Sequence, residues 1–183
     1  MSSRPAKPMT PAEVISLRRN RLAVREGYIS LLGRVVFIAA AAWLLFSQVF
    51  LLMQARGTDM FPAVKDGDLM VGYRLQREYE KNDVVVYVRD GKYRVGRIIG
   101  RQGDNITLDD TGTLLVNGTA QAGEIMYPTY AKDEVKYPYT VPEGMVFILG
   151  DYRTQAVDSR DFGAVEQKDV QAKVITILRR RSL

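Results

Sequence analysis

Nineteen consecutive residues without a charge, Val35 to Met53 (VVFIAAAAWLLFSQVFLLM), constrain this chain more than any other feature. A helix of that length extends about 28 Å, close to the hydrocarbon thickness of a bilayer. Ser47 and Gln48 are its only clearly polar members. A buried core helix would share the pattern. A cleaved signal peptide fits it less well, because its apolar core is about 7 to 15 residues long and follows a short basic region. Here thirty-four residues precede the run. The expectation is therefore an uncleaved, single-pass anchor over 35–54. Arg18, Arg19, Arg21, Arg25 and Arg34 lie on its N-terminal side. By the positive-inside rule they assign that end to the cytoplasm and the remainder to the outside of the cell membrane.

The net charge of +5 follows the same division. Residues 1–34 carry seven basic and two acidic side chains, whereas 55–183 carry nineteen of each. The larger region is neutral and shows no basic stripe interleaved with aromatics, so no nucleic-acid partner is expected. The chain has no cysteine and no histidine. Their absence excludes disulfides, thiol catalysis, Ser-His-Asp triads and histidine-built zinc sites, and neither a cofactor nor a metal is expected. Three segments follow: a basic cytoplasmic 1–34, a membrane helix 35–54 and an extracytoplasmic domain 55–183. Residues 1–11 are Pro- and Ser-rich and read as disordered. Residues 11–34 read as an amphipathic helix near the anionic inner leaflet, with Leu17, Leu22 and Val24 toward the lipid.

After Arg56 the pattern changes to short Val-, Ile- and Tyr-rich stretches punctuated by Gly, Asp and Asn. DVVVYVRDGKYRVGRIIG reads as two strands joined at Asp90-Gly91, a pair favoured in two-residue hairpin turns. NITLDDTGTLLVNG reads as two more, with turns at Asp110 to Gly112 and at Asn117-Gly118. Further strands are expected at 145–150 and 172–178. The fold class is mainly β, an antiparallel domain behind one N-terminal transmembrane helix. Residues 120–142, rich in Tyr and Pro, suggest an extended excursion whose tyrosines pack half-buried.

Three stretches carry a family resemblance: GTDMFPA (57–63), YRVGRIIGRQGD (93–104) and GDYRTQAVDSRDFG (150–163). In this order behind an outward-facing anchor, they resemble the type I signal peptidases of Gram-positive bacteria. The resemblance implies a β-rich domain at the membrane surface and Ser-Lys dyad chemistry on exported precursors. It places the nucleophilic serine at Asp59, the general-base lysine at Gly96 and a supporting serine at Ala156. None of the three has the expected side chain. Met60, Pro62, Arg97, Ile98, Ile99, Gly100, Gly103, Asp104, Gly150, Asp151, Arg153, Asp158, Ser159, Arg160, Phe162 and Gly163 do match. Tyr152 replaces an asparagine, Gln102 a proline and Ala63 a threonine.

The three substitutions remove the expected catalysis. A serine hydroxyl needs a base to take its proton, and a lysine serves only when burial keeps it neutral. Asp59 has no hydroxyl to activate, and Gly96 has no amine. Lys92 lies four strand positions from Gly96, about 13 Å, too far to substitute. Ser159, the only serine between Gln48 and Arg181, is itself part of the family pattern. Arg97, Asp158, Ser159 and Arg160 read as structural residues near the former site, with Asp158 and Arg160 paired. Gly57 would lie near the oxyanion site. Removal of the lysine stem leaves a recess at Gly96 unless neighbours fill it. Asp59, Met60, Pro62 and Gly96 would then border an acidic, partly open groove able to take an extended chain by strand addition. The resulting expectation is a non-catalytic, chaperone-like accessory protein for exported precursors. The resemblance to degenerate relatives implies pilin-like partners and association with sortase or other pilus-assembly machinery. An active peptidase with an unconventional arrangement, or a decoy regulator of signal-peptide processing, are the alternatives.

Overall fold

The computed structural model describes residues 11–121 and 126–179, and for 12–23 the backbone only. The segment read as disordered, 1–11, lies outside them except for Pro11, as do the side chains of Leu17 and Leu22. Helix α1 runs without interruption over Pro11–Val49. The chain divides into two compact units between Phe46 and Ser47. Within α1, Val24–Val49 is long and apolar enough to cross a membrane, and none of it is buried. Its 26 residues extend about 39 Å. The apolar run therefore ends differently from the expectation. Its last residues leave the helix and form strand β1, Phe50–Gln54, antiparallel to β2, Leu69–Tyr73. Met53 packs with the Ala55, Met60, Val64 and Met70 cluster, giving these residues a protein partner that further helix would not supply.

The second unit is built on antiparallel pairing throughout. The remaining strands are β3 (Val84–Arg89), β4 (Lys92–Arg101), β5 (Asn105–Leu108), β6 (Leu114–Val116), β7 (Thr119–Ala120), β8 (Tyr139–Thr140), β9 (Met145–Leu149), β10 (Val165–Glu166) and β11 (Val170–Leu178). A seven-stranded sheet has the order β1-β2-β11-β3-β4-β9-β10, and a four-stranded sheet the order β7-β6-β5-β8. The strands expected from the sequence are present. β1 and β2 lay outside that reading, because β1 continues the apolar run and β2 is short. Asp90 and Gly91 have φ of 51° and 70°, the two positive values that a two-residue hairpin of this kind requires. This turn fixes the β3–β4 register, opposing Tyr87 to Arg94 and Val85 to Gly96.

Alternation along the strands divides the core. Val85, Tyr87, Ile98, Val146 and Ile148 form one cluster with Tyr79, Val165 and Val170. Ile99, Phe147 and Leu149 form a second with Ile106 and Leu114 of the smaller sheet. Tyr137 and Tyr139 pack against that second cluster, as expected for the excursion's tyrosines, whereas Tyr130 is half exposed. The third cluster, around Met60, takes Val84 and Val95 from β3 and β4. It lies under the first of the three family stretches.

Candidate functional site

Strand β4 is paired on both sides for only part of its length. β9 joins it from Arg97 onward, so Lys92 to Val95 bond to β3 alone. β1 is the outer strand of the same sheet. The sheet curls so that these two open edges face each other across a groove of about 790 Å³. Leu52 to Gly57 form one wall and Lys92 to Val95 the other, with Asp59, Met60 and Val64 completing the lining. Of the residues assigned to the groove from sequence, Asp59 and Met60 line it. Pro62 and Gly96 do not. Nor is the groove acidic: Arg56, Lys92 and Arg94 line it against Asp59 alone.

Asp59 lies in the turn after β1, partly buried. Burial raises its carboxyl pKa; Arg94 and Lys132 oppose that shift, while Asp158 and Asp161 add to it. Its backbone carbonyl accepts a 2.9 Å hydrogen bond from Tyr152 N–H. The Tyr152 ring in turn lies 4.7 Å from that of Tyr127 and 6.1 Å from that of Phe61. The tyrosine at the family's asparagine position thus joins the Asp59 turn to the excursion. Gly57 N–H, expected near an oxyanion site, donates instead to Asp66 Oδ1 at 2.8 Å.

Gly96 is buried within β4, and no recess remains there. A Cβ at this position would overlap Ile148 Cγ2 and stand 3.3 Å from Leu149 O and 3.4 Å from Tyr87 Cε1. Tyr87 is 1% exposed, and burial raises the pKa of its hydroxyl well above the ordinary range. It supplies bulk here and no base. Ala156 is fully buried with its Cβ against Gly150.

One amine does lie close by. Lys132 Nζ donates to Ala156 O at 2.8 Å and to both oxygens of Asp161 at 2.8 and 2.7 Å. An ammonium has three protons, and these three acceptors engage it as a cation. Lys132 comes from the excursion, and no local pattern links it to the three stretches. Tyr87 and Arg94, in contrast, could be placed from the Asp90-Gly91 turn, which sets the register around Gly96.

The third stretch forms the rigid floor of this region. Asp158 and Arg160 make a bidentate pair at 2.9 and 2.8 Å, both almost completely buried. Asp158 also accepts from Gly150 N and Arg160 N. It caps the short helix α2, Ser159–Phe162, with Asp161 returning a bond to the Asp158 N–H. Ser159 Oγ accepts from Ile148 N at 3.0 Å, a structural bond deep in the domain. Arg97 grips Asp151 through two bonds of 2.8 and 2.6 Å. Arg153, with its pKa lowered to about 10 by burial, donates to Thr129 Oγ1 and Gln121 Oε1. It ties the excursion to the floor.

The described site is a groove between two open strand edges, carried by a β-domain and preceded by a membrane-length helix. Residues 28–178 match the family described as signal peptidase, peptidase S26, and the chain belongs to that family. It is 30% identical to signal peptidase I of Bacillus licheniformis over 74% of this chain and 80% of that protein. It is 28% identical to signal peptidase IB of Staphylococcus aureus strain COL over 65% of this chain and 72% of that protein. A crystal structure of a signal peptidase I from Enterococcus faecalis V583 is 29% identical, covers 54% of this chain and 97% of its own, and gives a TM-score of 0.46. The N-terminal apolar helix is consistent with membrane anchoring in such a protein.

Proposed function

We propose that this chain is a non-catalytic, membrane-anchored member of the signal peptidase family that holds extended segments of exported proteins and assists their assembly at the cell surface. The observation that carries the reading is the packing at Gly96. Where the family's lysine would stand, Ile148 and Tyr87 occupy the space, and the nearby Lys132 is engaged by Asp161 and Ala156. The Gly57 N–H is likewise taken by Asp66. The filled space at Gly96, in this reading, leaves no room for a catalytic amine, while the groove beside it stays open and offers two strand edges for backbone pairing. In this reading the positively flanked α1 leaves the N-terminus in the cytoplasm and the β-domain outside.

Pilin-like subunits, which travel with sortase and the pilus-assembly machinery, are the partners implied by the family's degenerate members. Full-length protein extracted from its membrane is expected to co-purify with such subunits, and its deletion to impair assembly of particular surface proteins. Intact assembly after deletion, with no captured exported chain, would remove the accessory role. The second reading, an active peptidase, draws on the raised carboxyl pKa of Asp59 at the end of the groove. Incubation with signal-bearing precursors beside an authentic signal peptidase separates the two. We expect no cleavage; cleavage abolished by Asp59→Ala would establish the peptidase reading instead.

A further inference from the structure

We infer that the groove selects extended segments carrying carboxylates at alternate positions, two residues apart. This inference rests on the groove reading above and specifies its ligand. Lys92 and Arg94 stand on one face of β4, about 6.6 Å apart along the strand, on the stretch that β9 leaves unpaired. A chain added to that edge places the residues opposite them on the same face. Arg56 faces them from the other wall.

These three cations differ from others around the site. Arg97, Lys132, Arg160 and Lys173 each hold a carboxylate at 2.8 Å or less. Among the described residues, Arg56, Lys92 and Arg94 hold none within ion-pair distance. Arg94 makes one long bond, Nη1 to Val157 O at 3.5 Å, and its Nε is buried without a partner. A guanidinium with donors to spare beside an open strand edge is matched by a carboxylate, which it can bind in bidentate fashion. Asp59 is near enough to influence Arg94 electrostatically but does not bond to it. It acts as a weak internal competitor for the incoming acid.

The test uses full-length protein in zwitterionic nanodiscs and fluorescent ten-residue peptides that differ only in the placement of glutamates. One has two glutamates two residues apart, a second has them adjacent, and a third has glutamine at both places. The alternating peptide is expected to bind roughly threefold to tenfold more tightly than the glutamine peptide at low salt, with the preference fading as salt rises. The adjacent-glutamate peptide, which sends one carboxylate to the opposite face, is expected to recover only part of the gain. Arg94→Gln with Lys92→Gln removes the preference, and Asp59→Asn increases it. Arg94→Glu with Lys92→Glu is expected to favour the same peptide with lysines in place of glutamates, a reversal that a misfolded variant would not show.

Equal binding of glutamate and glutamine peptides overturns the inference while leaving a peptide groove in place. Equal binding of the two glutamate spacings overturns the alternate-position rule. Failure of every peptide to bind overturns both the inference and the groove reading on which it rests.

Discussion

Two neighbouring corners of the β-domain are built differently. At Asp158, Ser159 and Arg160, each charged or polar side chain is buried and bonded to something that must be satisfied for the chain to fold. At the other corner Gly96 and Ala156 carry no polar side-chain atom, the Asp59 carboxyl makes no side-chain hydrogen bond or ion pair among the described residues, and Ile148 and Tyr87 fill the space beside Gly96. The first corner holds the fold, and the second occupies the positions where the family resemblance places the catalytic side chains. Residues that resemble the family pattern are therefore not by themselves a sign of its activity. Asp158 and Arg160 would be required in either an active or an inactive version of this domain.

The sharpest way to break that comparison is to remove one member of the buried pair. Arg160→Met leaves Asp158 charged and buried at less than 2% exposure, and should cost about 3–5 kcal/mol. Chemical denaturation should show the loss as a large fall in midpoint. A loss below about 1 kcal/mol would mean that the third stretch is not a folding element and would remove the contrast.

A smaller effect is expected from restoring the dyad. Asp59→Ser with Gly96→Lys returns both residue types but forces a long stem into Ile148, and overpacking of this kind costs about 1–3 kcal/mol. The double variant should melt below the parent and cleave no precursor. Adding Ile148→Ala should recover part of the stability lost to overlap, offset by any space the inserted stem leaves unfilled around the smaller, buried side chain. Cleavage by the double variant alone would show that the site had merely changed residues while its geometry remained ready.

Much of this contrast is legible in the sequence. Hairpin punctuation at Asp90-Gly91 sets both the strands and their register, because a two-residue turn admits few alternatives. The pairing of Asp158 with Arg160 follows from two opposite charges in a short capped turn. What sequence could not supply came from side chains brought together across long separations. Ile148 meets Gly96 from another strand, and Lys132 reaches Asp161 from the excursion. The groove's charge differs from the sequence expectation for a related reason. Asp59 draws notice because the family resemblance places a nucleophile there, whereas Arg56, Lys92 and Arg94 converge only when the sheet curls. The helix ends earlier than expected because hydropathy cannot distinguish membrane helix from an apolar edge strand that packs on Met60.

The smallest expected effects come from two aspartates with shifts of opposite sign, one from each kind of position. Asp104 matches the family pattern. Burial alone would raise its pKa, but hydrogen bonds from Arg101 N–H, Asn117 and Lys81 outweigh burial and lower it. Its charged form is favoured by folding, so its contribution is present above the ordinary aspartate pKa of 3.8 and is lost as pH falls through the lower folded value. Asp104→Asn should therefore melt below the parent at neutral pH, with the gap closing in acid. Asp59 is the reverse case, since burial makes its charged form unfavourable in the folded state. Asp59→Asn should melt slightly above the parent at neutral pH. Its advantage should shrink as pH falls from the raised folded value toward 3.8, where the folded parent takes up its proton first. Thermal melts of the parent and both variants, from above the raised Asp59 value to below the lowered Asp104 value, measure each slope in its own window on either side of 3.8. Slopes of the same sign would place Asp59 among the structural carboxylates and end its distinction from Asp104.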